Sequence, residues 1–286
     1  MKDIIKLMRP IQWTKNLFVF VAIVFAGEAF NKALLIQCLF AFATFCVLSS
    51  SVYVLNDIID KEKDASHPTK KNRPIASGKV SVPLAVVLFI VLTILAGVGS
   101  VLLGGWFALI AGMYFAINIA YSLKLKNVPI IDIMSIASGF VLRTLAGAVL
   151  IQMAISPWLV VCAFFLSLFL AIQKRSVEIG TVTKNTHTRF VNQFYTPDML
   201  RAMSSTIDSA TIIAYTLYTF SDNSNELSYM MLTIPMVIFG IFRYQYIIHA
   251  SGSLAETPEY AIIKDKPLLI DILLWAVLSA VILYLL

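Results

Sequence analysis

NDIIDKEKDASHPTKKNRPIASG, residues 56–78, is a polar, charge-dense segment set between two long apolar runs. Asp57, Asp60 and Asp64 are spaced i, i+3 and i+7, and Asn56, Asp60 and Asp64 are spaced i, i+4 and i+8. On a helix both sets fall on one side. Like charges at such spacing repel, so the pattern needs an explanation. Clustered oxygen ligands suit Mg2+, which takes one or two carboxylates and shares its other positions with water and substrate phosphates. His67, Lys70, Lys71 and Arg73 follow, donors able to hold phosphate oxygens. An acidic patch beside a basic patch fits a metal–diphosphate site. The plain alternative is a solvated loop, charged because it lies outside a membrane.

The rest of the composition puts that loop at a membrane. The 286 residues are 59% hydrophobic and 13% charged, with a mean hydropathy of +0.84. Several apolar runs reach the roughly 20 residues needed to cross a bilayer. They are continuous rather than alternating, which selects helices over a barrel. We therefore expect an all-α, polytopic membrane protein, one domain over residues 1–286, with nine spans. These are 11–27, 33–55, 82–102, 105–122, 129–150, 156–173, 204–221, 229–247 and 267–286. Pro10 and Lys15 shorten the first. The stretch MKDIIKLMRPIQWTKN is amphipathic and basic without a small-residue cleavage site, so no cleavable signal peptide is expected. Cys38, Cys46 and Cys162 lie inside spans without metal or disulfide spacing and read as packing residues.

Connections near Gly27, Gly104, Gln152 and Asp222 are brief, while those on the other side are long. Of the 22 Lys and Arg, all but Lys32 and Arg143 fall on the long-loop side. This places the long loops in the cytoplasm, and the protein is expected in a bacterial cytoplasmic membrane. Trp13, Trp106, Trp158 and Tyr121 sit near span ends, as an aromatic belt requires. The basic excess thus serves topology and anionic substrates. No basic run with interleaved aromatics lies on a soluble domain, so nucleic acid is not a partner.

The second long loop leaves span six as KRSVE, with Lys174, Arg175 and Glu178; Lys174 and Glu178 share a helical face. They are either a snorkelling set at the membrane surface or a second wall of a phosphate site. Thr196-Pro197-Asp198 reads as a helix start with Thr196 as N-cap. Arg143 sits inside span five between Gly139 and Gly147. An arginine at that depth is costly and faces either substrate or a structural partner acid. YSLKLK at 121–126 supplies Tyr121, Lys124 and Lys126 at a span end, and Asp132 lies near enough to pair with Lys126 or to face a cavity. His67, His187 and His249 are dispersed and make no zinc or haem site. No phosphate-loop or dinucleotide glycine motif is present.

NDIIDKEKD at 56–64 resembles the first aspartate-rich motif of the UbiA superfamily of intramembrane prenyltransferases, a nine-helix family with a second such motif after helix six. Here KRSVE stands where a D-x-x-x-D series is expected. RPIQWTKN (9–16), NDIIDKEKDASHPTKKNRPIASG (56–78), GFVLRTLAGA (139–148), SPWL (156–159), KRSVE (174–178), YTPDMLR (195–201) and IPMVIFGIFRY with GSLAETPE (234–259) resemble the branch that transfers phosphoribose to decaprenyl phosphate. That resemblance implies a donor, phosphoribosyl pyrophosphate, and an acceptor, a polyprenyl phosphate. It implies Mg2+ on Asp57, Asp60 and Asp64, with Arg143 also catalytic. Substrate binding would fall to Lys15, Asn56, His67, Lys70, Arg73, Tyr121, Lys126, Lys174, Arg175 and Glu178. It allows a homo-oligomer, a trimer. The alternative within the fold is an aromatic, quinone-pathway prenyltransferase using an isoprenyl diphosphate. The alternative outside it is a transporter for a lipid-linked phosphate, which would share buried charge but has no need of three in-phase aspartates.

The charge split makes a direct prediction. Single cysteines introduced at positions 62 and 184 are expected to react with a membrane-impermeant thiol reagent only after the membrane is opened. Labelling of either in intact cells overturns the topology.

Overall fold

The structure, a computed structural model, describes residues 2–67, 70–152, 156–180, 190–220, 229–250 and 264–285. Pro68, Thr69, residues 181–189 and GSLAETPE therefore lie outside it. Every regular element among the described residues is helical. Helix α1 (Lys2–Met8) leads into a 3-10 helix, Pro10–Phe20, and α2 (Val21–Phe25). Then come α3 (Lys32–Ile59), α4 (Lys61–Ala65), α5 (Val82–Leu102), α6 (Gly105–Leu123) and α7 (Ile131–Ile151). The chain continues with α8 (Pro157–Gly180), α9 (Pro197–Phe220), α10 (Ile234–Ala250) and α11 (Lys266–Leu285).

Helical segments stand at all nine expected spans, and seven are long and apolar enough to cross a membrane. The two exceptions have different physical reasons. Helix α9 carries Ser204, Ser205, Thr206, Asp208, Ser209 and Thr211, which lower its apolarity. The first segment is short, but its geometry compensates. A 3-10 helix rises about 2 Å per residue. Its 11 residues cover about 22 Å, and the five of α2 add about 7.5 Å at the α-helical rise. The sum, about 30 Å, matches the hydrocarbon core of a bilayer.

The described chain forms two compact units, Met1–Ala154 and Ile155–Leu286. The first unit has two apolar clusters. One gathers Val19 of the 3-10 helix, Phe45 and Leu48 of α3, Phe107 and Tyr114 of α6, and Leu142 and Ala146 of α7. Phe45 meets Phe107 and Tyr114 edge-on, with centroids 5.7 and 5.4 Å away. The other cluster lies beneath the aspartate loop and joins Leu7 of α1, Val54 of α3, Ile75 and Val80 of the loop, and Ala85 and Leu92 of α5. Asn31 starts α3 by accepting from the backbone N–H groups of Ala33 and Leu34 at 3.2 and 3.5 Å. In the second unit Phe169 and Val177 of α8 pack with Ile241, Tyr244, Ile247 and Ile248 of α10 and Leu268 of α11. Arg243 donates two hydrogen bonds to Asp265, at 3.0 and 2.8 Å, tying the end of α10 to the start of α11. Those bonds, with the Leu268 N–H that Asp265 also accepts, hold its carboxyl below the usual aspartate range.

Gly147 marks the closest approach in the first unit. A Cβ there would stand 2.0 Å from the Val19 carbonyl oxygen. The obstacle is backbone, so it cannot rotate away. Gly147→Val is expected to lever the 3-10 helix off α7 and cost at least the ~1–3 kcal/mol of an overpacked core. A lower thermal midpoint of the detergent-solubilised protein checks it.

Candidate functional site

The three aspartates stay in helical phase because α3 passes almost directly into α4. Asp60 N–H donates to the Asn56 carbonyl at 2.9 Å and Asp64 N–H to the Asp60 carbonyl at 2.8 Å across the junction. Asp57 and Asp64 are buried. Their repulsion is relieved by cations from elsewhere in the chain. Arg73 Nη1 donates to Asp57 Oδ1 at 3.1 Å and to Asp64 Oδ2 at 2.6 Å. Arg9 Nη2 donates to the same Asp57 oxygen. Lys126 Nζ grips both oxygens of Asp60, at 2.7 and 2.8 Å. Lys126 thus reaches Asp60, while Asp132, near it in sequence, is fully buried. Buried Ile75, two residues after Arg73, anchors that part of the loop.

Arg9 joins the candidate site although it was not among the candidate site residues expected from sequence. Its backbone is left-handed, with φ 53° and ψ 63°, a conformation costly for a residue with a Cβ. Its guanidinium lies over the Tyr53 ring, 4.9 Å from the centroid. The turn between α1 and the 3-10 helix is what aims it at Asp57. The available signal was an arginine directly before a proline at the head of an apolar run.

A polar seam runs from this cluster into the membrane helices. Cys46, Ser49, Ser50, Tyr53 and Asp57 share one face of α3. Trp13 Nε1 donates to Ser50 Oγ at 3.0 Å, and Ser50 Oγ lies 3.0 Å from the Met8 carbonyl that it can donate to. Asn16 Nδ2 approaches Ser49 Oγ at 3.2 Å and Cys46 Sγ at 3.3 Å. Asn16 Oδ1 accepts from Arg143 Nε at 2.7 Å. Arg143 is buried and spends its other donors on the Gly139 carbonyl, at 2.8 Å, and the Tyr114 hydroxyl, at 2.7 Å. Its guanidinium also faces the rings of Tyr114 and Phe140, 4.6 and 5.5 Å from their centroids. The partner acid offered as one alternative for Arg143 is replaced by neutral acceptors and π-faces.

The remaining candidates are placed as follows. Asn56, Lys15, Tyr121 and Lys174 are half-buried, and the Asn56 side chain makes no hydrogen bond among the described residues. His67 Nδ1 accepts from the Lys70 N–H at 3.4 Å. In the second unit Arg175 is fully buried and donates to Glu178 Oε2 at 2.5 Å; Asn192 Nδ2 donates to the same oxygen at 3.3 Å. Glu178 therefore orients Arg175. Thr196 caps α9 as expected, accepting the Met199 N–H at 3.1 Å. A second polar network was missed: Gln173 donates to Ser204 at 2.7 Å, and Ser204 and Gln245 both donate to buried Asp208 Oδ2. Its signal was the i, i+4 pair Ser204/Asp208 within the Ser- and Thr-rich part of α9.

The donor chemistry at the first cluster fits Mg2+, a hard cation that prefers oxygen. Asp57 and Asp64 converge on one guanidinium nitrogen, whereas Asp60 turns to Lys126. Among the described residues no three Asp, Glu, His or Cys side chains form a common cage. The set therefore suits a metal held by one or two carboxylates whose other positions come from water and phosphate.

The sequence model of the UbiA prenyltransferase family matches residues 16–183. The chain belongs to that family. The decaprenyl-phosphate phosphoribosyltransferase of Mycolicibacterium smegmatis is 34% identical over 284 residues, covering 95% of this chain and 89% of that protein. Its namesake in Corynebacterium glutamicum is 35% identical over 283 residues, covering 95% and 83%. A UbiA homologue from Archaeoglobus fulgidus, solved with DMAPP and Mg2+, shares the fold with a TM-score of 0.74 at 18% identity, over 99% of this chain and 100% of that one. This UbiA protein is an integral membrane protein, as its seven apolar helices require.

Arg143→Met is expected to strand the Asn16 carbonyl and the Tyr114 hydroxyl, at about 1–3 kcal/mol for each buried group left unsatisfied. A fall in thermal midpoint larger than that of Tyr114→Phe, which removes one of the three bonds, checks this.

Proposed function

We propose that the chain transfers 5-phosphoribose from phosphoribosyl pyrophosphate to a polyprenyl phosphate of the decaprenyl type and releases pyrophosphate. The observation that carries this reading is the similarity, over 95% of the chain, to proteins named decaprenyl-phosphate phosphoribosyltransferase. The site supports it chemically. The second loop offers Lys174, a buried Arg175 and one acid already committed to that arginine, where an isoprenyl-diphosphate site in this superfamily would be expected to add carboxylates.

The residues divide as follows. Mg2+ on the Asp57, Asp60 and Asp64 set would neutralise charge on the departing pyrophosphate. Arg73 and Lys70 bind its oxygens, with Lys15, Asn56, His67, Tyr121 and Lys126 completing the donor site. Lys174 and Arg175 take the 5-phosphate or the acceptor phosphate. The acceptor phosphate has a second pKa near 6, so it is anionic at neutral pH and needs no strong protein base. Its oxygen bonds to carbon one of the ribose as the bond from that carbon to pyrophosphate breaks. A single displacement through an oxocarbenium-like state inverts that centre. Arg143 braces the helix that carries Lys15. One domain spans residues 1–286, with the active site on the cytoplasmic face of a bacterial cytoplasmic membrane. The homo-oligomer, a trimer, belongs to the same reading.

Purified protein incubated with phosphoribosyl pyrophosphate, a polyprenyl phosphate and Mg2+ is expected to yield a lipid heavier by one phosphoribosyl group, read by mass spectrometry. Asp57→Ala, Asp60→Ala and Asp64→Ala should each abolish that product, as should chelation of the metal. The Asp60 and Lys126 side chains are 18% and 14% exposed, so the melting temperature of the Asp60 variant is read beside its activity to separate loss of the site from loss of the fold. Product from geranylgeranyl diphosphate and an aromatic acceptor, with phosphoribosyl pyrophosphate neither reacting nor inhibiting, would instead make the protein an aromatic prenyltransferase.

A further inference from the structure

Each carboxylate of the aspartate set already has a cation. Arg9 and Arg73 neutralise Asp57, Arg73 also neutralises Asp64, and Lys126 neutralises Asp60. Three acids face three bases. A divalent cation entering this cluster by itself must displace a guanidinium or ammonium from its carboxylate and leaves that charge without an anion, half-buried against a membrane protein. A metal arriving with a diphosphate meets no such penalty, because the displaced bases find phosphate oxygens.

The bases are built to make that exchange. Arg9, Arg73 and Lys126 are partly solvent-exposed at the side chain, at 25%, 25% and 14%, while Asp57 and Asp64 are at 2% and 6%. The acids are fixed in consecutive helical turns. The bases come from a turn, a loop and the α6–α7 connection, outside the long helices. Arg9 has a second surface to rest on, the Tyr53 ring, when it leaves Asp57. Its left-handed backbone positions it there at a conformational cost.

We propose that Arg9, Arg73 and Lys126 are exchangeable counter-ions of the aspartate site: they hold the carboxylates while the site is empty and pass to the donor's phosphates when the metal arrives, so that metal and diphosphate bind as a coupled pair. This rests on the aspartate set being the metal–diphosphate site. It assigns Arg9 to donor binding and makes affinity for the metal depend on the diphosphate.

Binding of Mn2+, used as a paramagnetic probe in place of Mg2+, is to be measured by electron paramagnetic resonance on the purified full chain. Titrations are run alone, with inorganic pyrophosphate and with phosphoribosyl pyrophosphate. The wild type is expected to bind Mn2+ at least tenfold more tightly with pyrophosphate than without. Arg9→Gln should tighten binding of the metal alone by about tenfold and weaken binding of pyrophosphate at saturating metal by a similar factor. Arg9→Lys, which keeps the charge, should restore both, and Asp57→Asn in the Arg9→Gln background should erase the gain for the bare metal. A purely structural Arg9 would lower the melting temperature without moving the two affinities in opposite directions. Wild-type affinity for the metal that is indifferent to pyrophosphate, or an Arg9→Gln protein that binds both as the wild type does, overturns the proposal. Lys126→Gln provides a second path should Arg9→Gln fail to fold: bare-metal affinity should rise there too, and no rise overturns the proposal. If pyrophosphate couples to the metal but phosphoribosyl pyrophosphate does not, the donor assignment fails while the counter-ion exchange stands.

Discussion

Carboxylates crowded at the end of an apolar helix cannot remain buried and charged without compensation, and the first unit is arranged to supply it. Asp57 and Asp64 are both buried, so water does not screen them. The compensation comes from positions 9, 73 and 126, and each requires a piece of chain to be brought back to α3. Arg9 is delivered by a left-handed turn, Arg73 by a loop anchored on Ile75, and Lys126 by the short connection after α6. The neutralisation of three acids thus organises the packing of α1, the 3-10 helix, the loop and α6 around the end of one helix.

The same helix face continues the arrangement inward with weaker polarity. Asp57, Tyr53, Ser50, Ser49 and Cys46 descend from charge to thiol, and the 3-10 helix answers with Arg9, Trp13 and Asn16. At the bottom Arg143 closes the seam from α7. A buried guanidinium is tolerable there because all three of its nitrogens have acceptors, two aromatic faces lie over it, and Gly147 admits the Val19 backbone at close range. Stability and site geometry share this seam: the contacts that make a deep arginine tolerable belong to the same 3-10 helix whose leading turn holds Arg9 against Asp57.

The helices were legible because a span must be apolar for about 20 residues, a constraint that single-sequence hydropathy reads directly. Helix α5 occupies the residues expected of it, and α6 differs by one. The in-phase aspartates were equally legible, being a local pattern. What escaped is long-range or geometric. Arg9 meets Asp57 across 48 residues, Lys126 meets Asp60 across 66, and Arg143 meets Asn16 across 127. No periodicity links such pairs. The cost of a buried arginine is legible in sequence and leaves substrate or a partner acid as the alternatives; that an amide, a phenol and a carbonyl together accept its donors is not legible there. The 3-10 form of the first span left no mark either, because the sequence shows how many residues are available and not how far each one rises.

The proposed reaction gives a physical reason for the departure at the second loop. A prenyl diphosphate and an aromatic ring put only one anion at the reacting centre, so carboxylate-bound metal can hold the donor from two sides. A transfer between phosphoribosyl pyrophosphate and a lipid phosphate brings a pyrophosphate, a 5-phosphate and an attacking phosphate together. Added carboxylates would raise the repulsion between them, whereas fixed cations lower it. In the second unit KRSVE supplies Lys174 and an Arg175 locked by Glu178, and its one acid is spent on orienting that arginine. Arg175 can hold a bidentate, fixed geometry toward phosphate that a flexible lysine cannot. In the proposed reaction an oriented arginine in place of acids suits an anionic acceptor, and the metal would rest with the first aspartate set.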